Sequence, residues 1–456
     1  MKFLYLILSL LLLCSCTQKQ ANIKSPIFDL NKTAIKSNTI VKKVIAQQNI
    51  ETIDDLQWIP QDVSFYAHNI EPSYLSTQKK YEKDFFRVWN LKKVSTHLSD
   101  ALWANKAFTE KNSYGENLQK ISKSFFDTTE KNANYKEFKT LNLKAISLKE
   151  LNIRAFPSIK PLFLNPEKAG EGFPFDYLQN STIAPNKPLL VSHYSQDREW
   201  AFVESSFTFG WVKSSDIALL DKKYTDIWQK AKQVFITKDD VPIYSKNGNF
   251  LFHSKIGMML ALIGEDEDSY RVLTIAKYKN EKPLYTEAKL SKNIAHLGIL
   301  EFNQKNIIKI LGELSQSHYG WGGFNSERDC SSILRDFYAP FGLWLPRNSY
   351  QQSKSAESIS LEKLTNNEKI QIIKKEAEPF KTLLYKKGHI VLYIGVYKKK
   401  IIIFQNVWGV KTMKDAKEGR FVIGKAIFST LELGKNLKEF DTKSSLLENL
   451  QSMTKL

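Results

Sequence analysis

The chain has 456 residues, 42% hydrophobic and 25% charged, with 19 Gly and 14 Pro, which excludes wholesale disorder and collagen-like architectures and leaves room for about three domains. Its formal charge is +18. Lysine spread along the whole chain carries most of that charge, and such scatter reads as a solvated surface; a nucleic-acid stripe would be clustered and interleaved with aromatics. Three cysteines are too few for a disulfide scaffold, and the longest apolar run, residues 3–13, is too short to span a bilayer as a mature helix.

Lys2, that apolar run and the small residues Cys14 and Ser15 form a secretory signal. Leu13-Cys14-Ser15-Cys16 resembles a bacterial lipobox. The resemblance implies removal of residues 1–15, lipidation of Cys16 and a membrane anchor on the periplasmic face. Thr17 rather than Asp follows, which by enteric sorting rules favours the outer over the inner membrane. Residues 16–50 are polar and read as a tether. Cys330 is then the one free thiol, with no partner for a disulfide.

From Trp58 the aromatics return, and a helical N-terminal domain is expected over 51–150, with Phe85, Phe86, Val88 and Trp89 in one apolar block and Ala101, Leu102, Trp103 and Phe108 in the next. From Leu151 the texture changes to short strands at about ten-residue spacing, which predicts two small barrels, 151–220 and 221–300. An α+β domain is expected over 301–440. It opens with a helix carrying Ile307, Ile308, Ile310, Leu311 and Leu314, and contains two strong strands, 390–396 and 401–404. Residues 441–456 read as a polar, loose tail. The fold class is α+β and multidomain.

Around Cys330 the sequence carries chemistry. Asp329 is a good N-cap, and Ile333, Leu334 and Phe337 form the apolar face of a helix that begins at Cys330. Unpaired N–H groups at a helix start favour a thiolate. His389, at the start of a buried strand, can serve as the base of such a nucleophile. A hairpin of odd loop length would put Gln405 on the face of His389, and an even one Asn406. The seven histidines are scattered without metal-ligand spacing, so neither metal nor cofactor is expected.

Tyr319-Gly320-Trp321-Gly322-Gly323, Asp329-Cys330-Ser331, Pro346-Arg347-Asn348-Ser349-Tyr350-Gln351-Gln352 and Gly388-His389, in that order, resemble the NlpC/P60 cysteine peptidases of peptidoglycan. Gly172-Phe173-Pro174-Phe175-Asp176-Tyr177, His193-Tyr194-Ser195 and Gly210-Trp211-Val212 resemble the first of two bacterial SH3-like barrels found in relatives with a helical N-terminal domain. The resemblance implies a papain-like catalytic domain and a γ-D-glutamyl–diaminopimelate endopeptidase acting on stem peptides. It assigns Cys330 as nucleophile, His389 as base and Gln405, where many relatives have a second histidine, as the third catalytic residue. Tyr319, Asp329 and Ser331 would bind the oxyanion or substrate, with Asp329 a candidate for a substrate ammonium, and the first barrel would wall the cleft. A monomer with no nucleic-acid partner is expected. The rival readings are a catalytically silent wall-binding lipoprotein and an N-acetylmuramoyl-L-alanine amidase of the same mechanism.

Overall fold

The computed structural model describes residues 52–279 and 282–456. The expected signal at 1–15, the lipidated Cys16 and the tether to residue 50 lie outside the described residues. The described chain is α+β, with helical segments packed over four sheets, one of them two-stranded.

The N-terminal segment supplies α1 (Asp54–Trp58), α2 (Gln78–Phe85) and α3 (Lys123–Ala133). The Thr77 side chain caps α2 by accepting from the Lys80 N–H at 3.2 Å. Tyr81 and Phe85, one turn apart, bury the same face of α2. That face does not close a core of its own: it joins Trp89 to Trp228, Phe235 and Met259 of the region that follows. Farther upstream, the Asp55 carboxylate accepts from Thr430 N–H at 2.8 Å, and Gln61 exchanges two hydrogen bonds with the Phe428 backbone. The segment is a strap over the other units.

The first barrel is a seven-stranded antiparallel sheet in the order β3-β2-β6-β5-β4-β1-β7. Its strands are β1 (Leu143–Ser147), β2 (Leu151–Arg154), β3 (Gln179–Ile183), β4 (Pro188–Tyr194), β5 (Trp200–Glu204), β6 (Phe209–Lys213) and β7 (Ile217–Leu219). The sheet thus begins before the expected boundary at 151, because β1 pairs with both β4 and β7. After α4 (Lys222–Lys230), the second barrel contains β8 (Gln233–Ile236), β9 (Pro242–Tyr244), β10 (Phe250–His253), β11 (Met259–Glu265), β12 (Ser269–Lys279), β13 (Lys282–Ser291) and β14 (Ala295–Leu297).

The C-terminal unit packs α5 (Gln304–Leu314) and α6 (Cys330–Tyr338) on a six-stranded sheet, beside α7 (Asn366–Glu376). The sheet order is β15-β20-β16-β17-β18-β19, with β15 (Glu357–Ser360), β16 (Thr382–Lys386), β17 (His389–Tyr397), β18 (Lys400–Lys414), β19 (Lys417–Thr430) and β20 (Ser452–Lys455). The expected loose tail at 441–456 is therefore corrected: β20 pairs with both β15 and β16, and Met453 is fully buried. A four-residue strand with one large apolar side chain carries little periodic signal, and here backbone pairing on both sides fixes it.

The β17–β18 hairpin turns on Lys398 and Lys399, both at positive φ (46° and 66°), a two-residue loop between the paired Tyr397 and Lys400. An even loop would align Asn406 with His389. However, the register shifts between Tyr393 and Gly395, so that Leu392 pairs with Phe404. This bulge inverts the parity of everything beyond it and returns Gln405 to the His389 face.

Candidate active site

Cys330 is the first residue of α6. The Asp329 carboxylate accepts from Ser332 N–H at 2.8 Å, and the Ser332 hydroxyl accepts from Asp329 N–H at 2.9 Å. This capping box fixes the helix start. The helix's apolar residues Ile333, Leu334 and Phe337 are buried against the β17–β18 core, which sets the thiol beside the start of β17. The backbone N–H of Ile390, the residue after His389, faces the thiol and favours its ionised form.

The imidazole is held through one nitrogen. His389 Nε2 donates to Gln405 Oε1 at 2.7 Å, Gln405 Nε2 donates to Ser429 Oγ at 2.8 Å, and Ser429 Oγ donates to the Thr430 carbonyl at 3.1 Å. The direction of each bond follows from the last, since a carbonyl only accepts. Nε2 therefore carries the proton, and Nδ1 is the basic nitrogen. Asn406 faces the other way and donates to the His318 and Arg328 carbonyls at 3.0 and 2.8 Å. Ser429 has no signature in the sequence; it is found only through the register of β18 on β19.

Burial, then the adjacent Asp329 carboxylate, push the Cys330 thiol up to about 12, against the pull of the Ile390 N–H and the Arg347 guanidinium. Burial lowers His389 to about 4, against the hydrogen bond to Gln405. Burial of both groups thus opposes the thiolate that the helix start favours.

Asp329 and Ser331 line the cleft, yet their polar atoms are engaged. Arg347 donates to both Asp329 oxygens at 3.1 and 2.6 Å, to Ser331 Oγ at 2.9 Å and to Ser181 Oγ of the first barrel at 2.7 Å. Asp329, the candidate for a substrate ammonium, is paired with Arg347, which keeps the carboxyl below its ordinary range in spite of burial. Gln352 of the same motif donates to the Ser331 and Pro346 carbonyls at 2.8 and 2.9 Å. Tyr319 lines the cleft close to the thiol, and burial, then the charges of Cys330 and Asp329, raise its pKa well above the usual phenol value.

Trp321 and the two glycines dock the first barrel. Trp321 Nε1 donates to the Asp176 carbonyl at 2.8 Å. Gly322 sits at φ 59°, where a Cβ would lie 2.5 Å from the Gln179 carbonyl oxygen, so only glycine permits this approach. A cleft of ≈ 850 Å³ results, walled by Cys330 and Arg347, by Gln179, Glu204 and Phe207 of the barrel, and by Arg87 of the strap. Glu204 ties strap to barrel, accepting from Arg87 Nη2 at 2.9 Å and from the Ser95 and Thr96 N–H groups at 2.7 and 2.9 Å.

Four family models match the chain in order: the NLPC_P60 stabilising domain over 5–138, an SH3 domain of SH3b1 type over 161–213, an SH3 domain of SH3b2 type over 221–267, and the NlpC/P60 family over 316–419. An NlpC/P60 endopeptidase from Photobacterium damselae subsp. piscicida has the same fold, with a TM-score of 0.75 at 22% identity over 90% of this chain and 99% of that one. An NlpC/P60 family protein from Bacillus cereus ATCC 10987 matches with a TM-score of 0.41 at 17% identity, over 60% of this chain and 81% of that one. No curated protein matches. With the stabilising domain, two SH3 domains and C-terminal peptidase fold in sequence, the chain belongs to the NlpC/P60 family.

Proposed function

We propose that the protein is an exported thiol peptidase that hydrolyses peptidoglycan stem peptides at the γ-D-glutamyl–diaminopimelate bond, anchored by lipidated Cys16 at the periplasmic face of the outer membrane. The observation that supports this reading most is the His389–Gln405–Ser429 chain, which leaves Nδ1 as the basic nitrogen on the residue next to Ile390, whose N–H faces the buried thiol. Cys330 Sγ attacks the γ-carbonyl carbon as His389 Nδ1 takes the thiol proton. The C–N bond then breaks, and the same proton goes to the leaving amine. Water, deprotonated by His389, cleaves the thioester and returns the thiol. Cys330 N–H, free at the first turn of α6, and the Tyr319 hydroxyl are the candidate oxyanion donors.

Digestion of purified sacculi followed by mass spectrometry of the muropeptides tests the reading. Fragments ending in γ-D-glutamate, with new diaminopimelate amines, support it. Free lactoyl termini would instead establish the amidase, and an unchanged muropeptide profile the silent binding protein.

A further inference from the structure

Two clefts meet at the catalytic pair, and each takes one member of it. The ≈ 850 Å³ cleft is lined by Cys330, and a second cleft of ≈ 370 Å³ is lined by His389 and Gln405; Tyr319, Trp321 and Gly388 border both. In an acyl transfer the base that takes the nucleophile's proton must deliver it to the leaving nitrogen. The leaving half of the substrate therefore lies on the His389 side, in the smaller cleft, and the acyl half lies in the larger one.

The two clefts differ in charge. The larger one mixes signs, with Asp100, Glu204 and Asp329 facing Arg87 and Arg347. The smaller one has three cationic side chains, Lys386, Lys411 and Arg420, and no carboxylate in its lining. Lys411 is paired with Glu418 at 2.6 Å and lies 3.6 Å from Asp441. Lys386 and Arg420 make no ion pair among the described residues: Lys386 Nζ donates to the Ser444 carbonyl at 3.2 Å, and Arg420 Nη2 donates to the Lys168 carbonyl at 2.7 Å. Trp408, which lines the same cleft, has a buried indole N–H with no acceptor. Burial moreover lowers the Lys386 pKa, a cost that an anionic ligand would remove. Two uncompensated cations and an unmatched N–H donor in one cleft call for a ligand that brings negative charge and acceptor oxygens.

We propose that this smaller cleft is a leaving-group subsite for an amine that carries a carboxylate, held by Lys386 and Arg420 with the Trp408 N–H as a further donor. The inference rests on the proposed peptidase reading and specifies its second product: the amine released from His389 is an amino acid or peptide with a free carboxylate close to the new amino group. Lys386 and Arg420 are thus specificity residues rather than catalytic ones.

The test compares two substrates, L-alanyl-γ-D-glutamyl-diaminopimelate with its leaving residue's α-carboxylate free and the same compound with that group as a carboxamide. Wild type should favour the carboxylate by about tenfold or more in kcat/KM, the scale of one charge-assisted hydrogen bond. Arg420→Gln and, separately, Lys386→Met should lose most of that preference, through KM on the carboxylate substrate. Both residues lie in strands and are partly exposed, and the Arg420 variant keeps the test open if Lys386→Met fails to fold. Equal rates for both substrates in wild type, or an undiminished preference in a folded variant, overturns the subsite while leaving the peptidase reading standing. No turnover of either substrate overturns the peptidase reading, and the subsite with it.

Discussion

At the residue scale, the site is organised by one proton's position. His389 Nε2 is committed to Gln405, whose amide is itself oriented by Ser429. Gln405→Ala frees the ring to take the wrong tautomer, and kcat should fall by up to about 10⁴-fold, the loss seen when an orienting group imposes it. Asn406→Ala should instead cost about 1–3 kcal/mol of stability, since it removes a donor from the His318 carbonyl and leaves the Arg328 carbonyl the Gly320 N–H, with a much smaller effect on kcat. Kinetics and thermal melts of both variants check the pair. The shifted pKa values give a second expectation. With His389 near 4 and Cys330 near 12, both are neutral at pH 7, so kcat/KM should rise between about pH 3 and pH 5 and stay level through neutrality. Iodoacetamide should alkylate Cys330 slowly at pH 7 and faster with each unit above it. An acid limb near pH 6.5 with rapid alkylation at neutral pH would show a preformed ion pair instead. Linkage gives the same group a stability signature. The folded pKa lies below the ordinary 6.5, so the unfolded chain binds more protons between about pH 6.5 and pH 4. This contribution is complete above that window and is lost as pH falls through it.

At the scale of elements, the position of Gln405 depends on a bulge and that of the final strand on its neighbours. Cys330 and His389 are readable in the sequence because each opens an element: a cap residue announces the helix, and a glycine precedes the strand. Gln405 against Asn406 is not decided by loop length, since the loop is even and Ile394 is left unpaired. Gly395, at φ 142°, is the available signal, because a glycine inside a strand often marks a bulge. Arg347 belongs to a motif visible in the sequence, but its partners come from the helix cap and from a different domain, so spacing cannot name them. The strand β20 is hidden by its shortness. It fills the gap between β15 and β16, and Thr454 Oγ1 donates to the Ser353 carbonyl at 2.8 Å. A chain ending at Leu450 would expose two strand edges and remove Met453 from the core. Its melting temperature should drop by at least about 10 °C, equivalent to several kcal/mol. An unchanged melt would mean that the strand contributes nothing to the sheet's stability.

At the scale of the whole molecule, the barrels and the strap act as parts of the site. Arg328, in the loop before Cys330, is 4% exposed in its side chain and bonds Asp239 of the second barrel at 2.5 Å and Asp336 of α6 at 2.8 Å. Arg328→Ala would leave two carboxylates without their partner and should cost about 3–5 kcal/mol, measurable by denaturant unfolding. Triple replacement of Arg328, Asp239 and Asp336 by apolar residues should cost much less, which separates loss of a charge partner from loss of packing. The domain order was legible in the sequence, because the texture changes from helical blocks to short strands and then to mixed elements, although the first sheet starts at Leu143 rather than at Leu151. What was hidden is that the helical segment has no closed core: its apolar stripes look like those of an autonomous domain, but Tyr81 and Trp89 belong to a core shared with the second barrel.

The central claim is that Cys330 is the nucleophile of this assembled site, and turnover of a γ-D-glutamyl–diaminopimelate stem peptide by Cys330→Ala tests it most directly. The account predicts a loss on the order of 10⁶-fold, to background, with the wild-type melting curve retained. Turnover at the wild-type rate by the folded variant would contradict it.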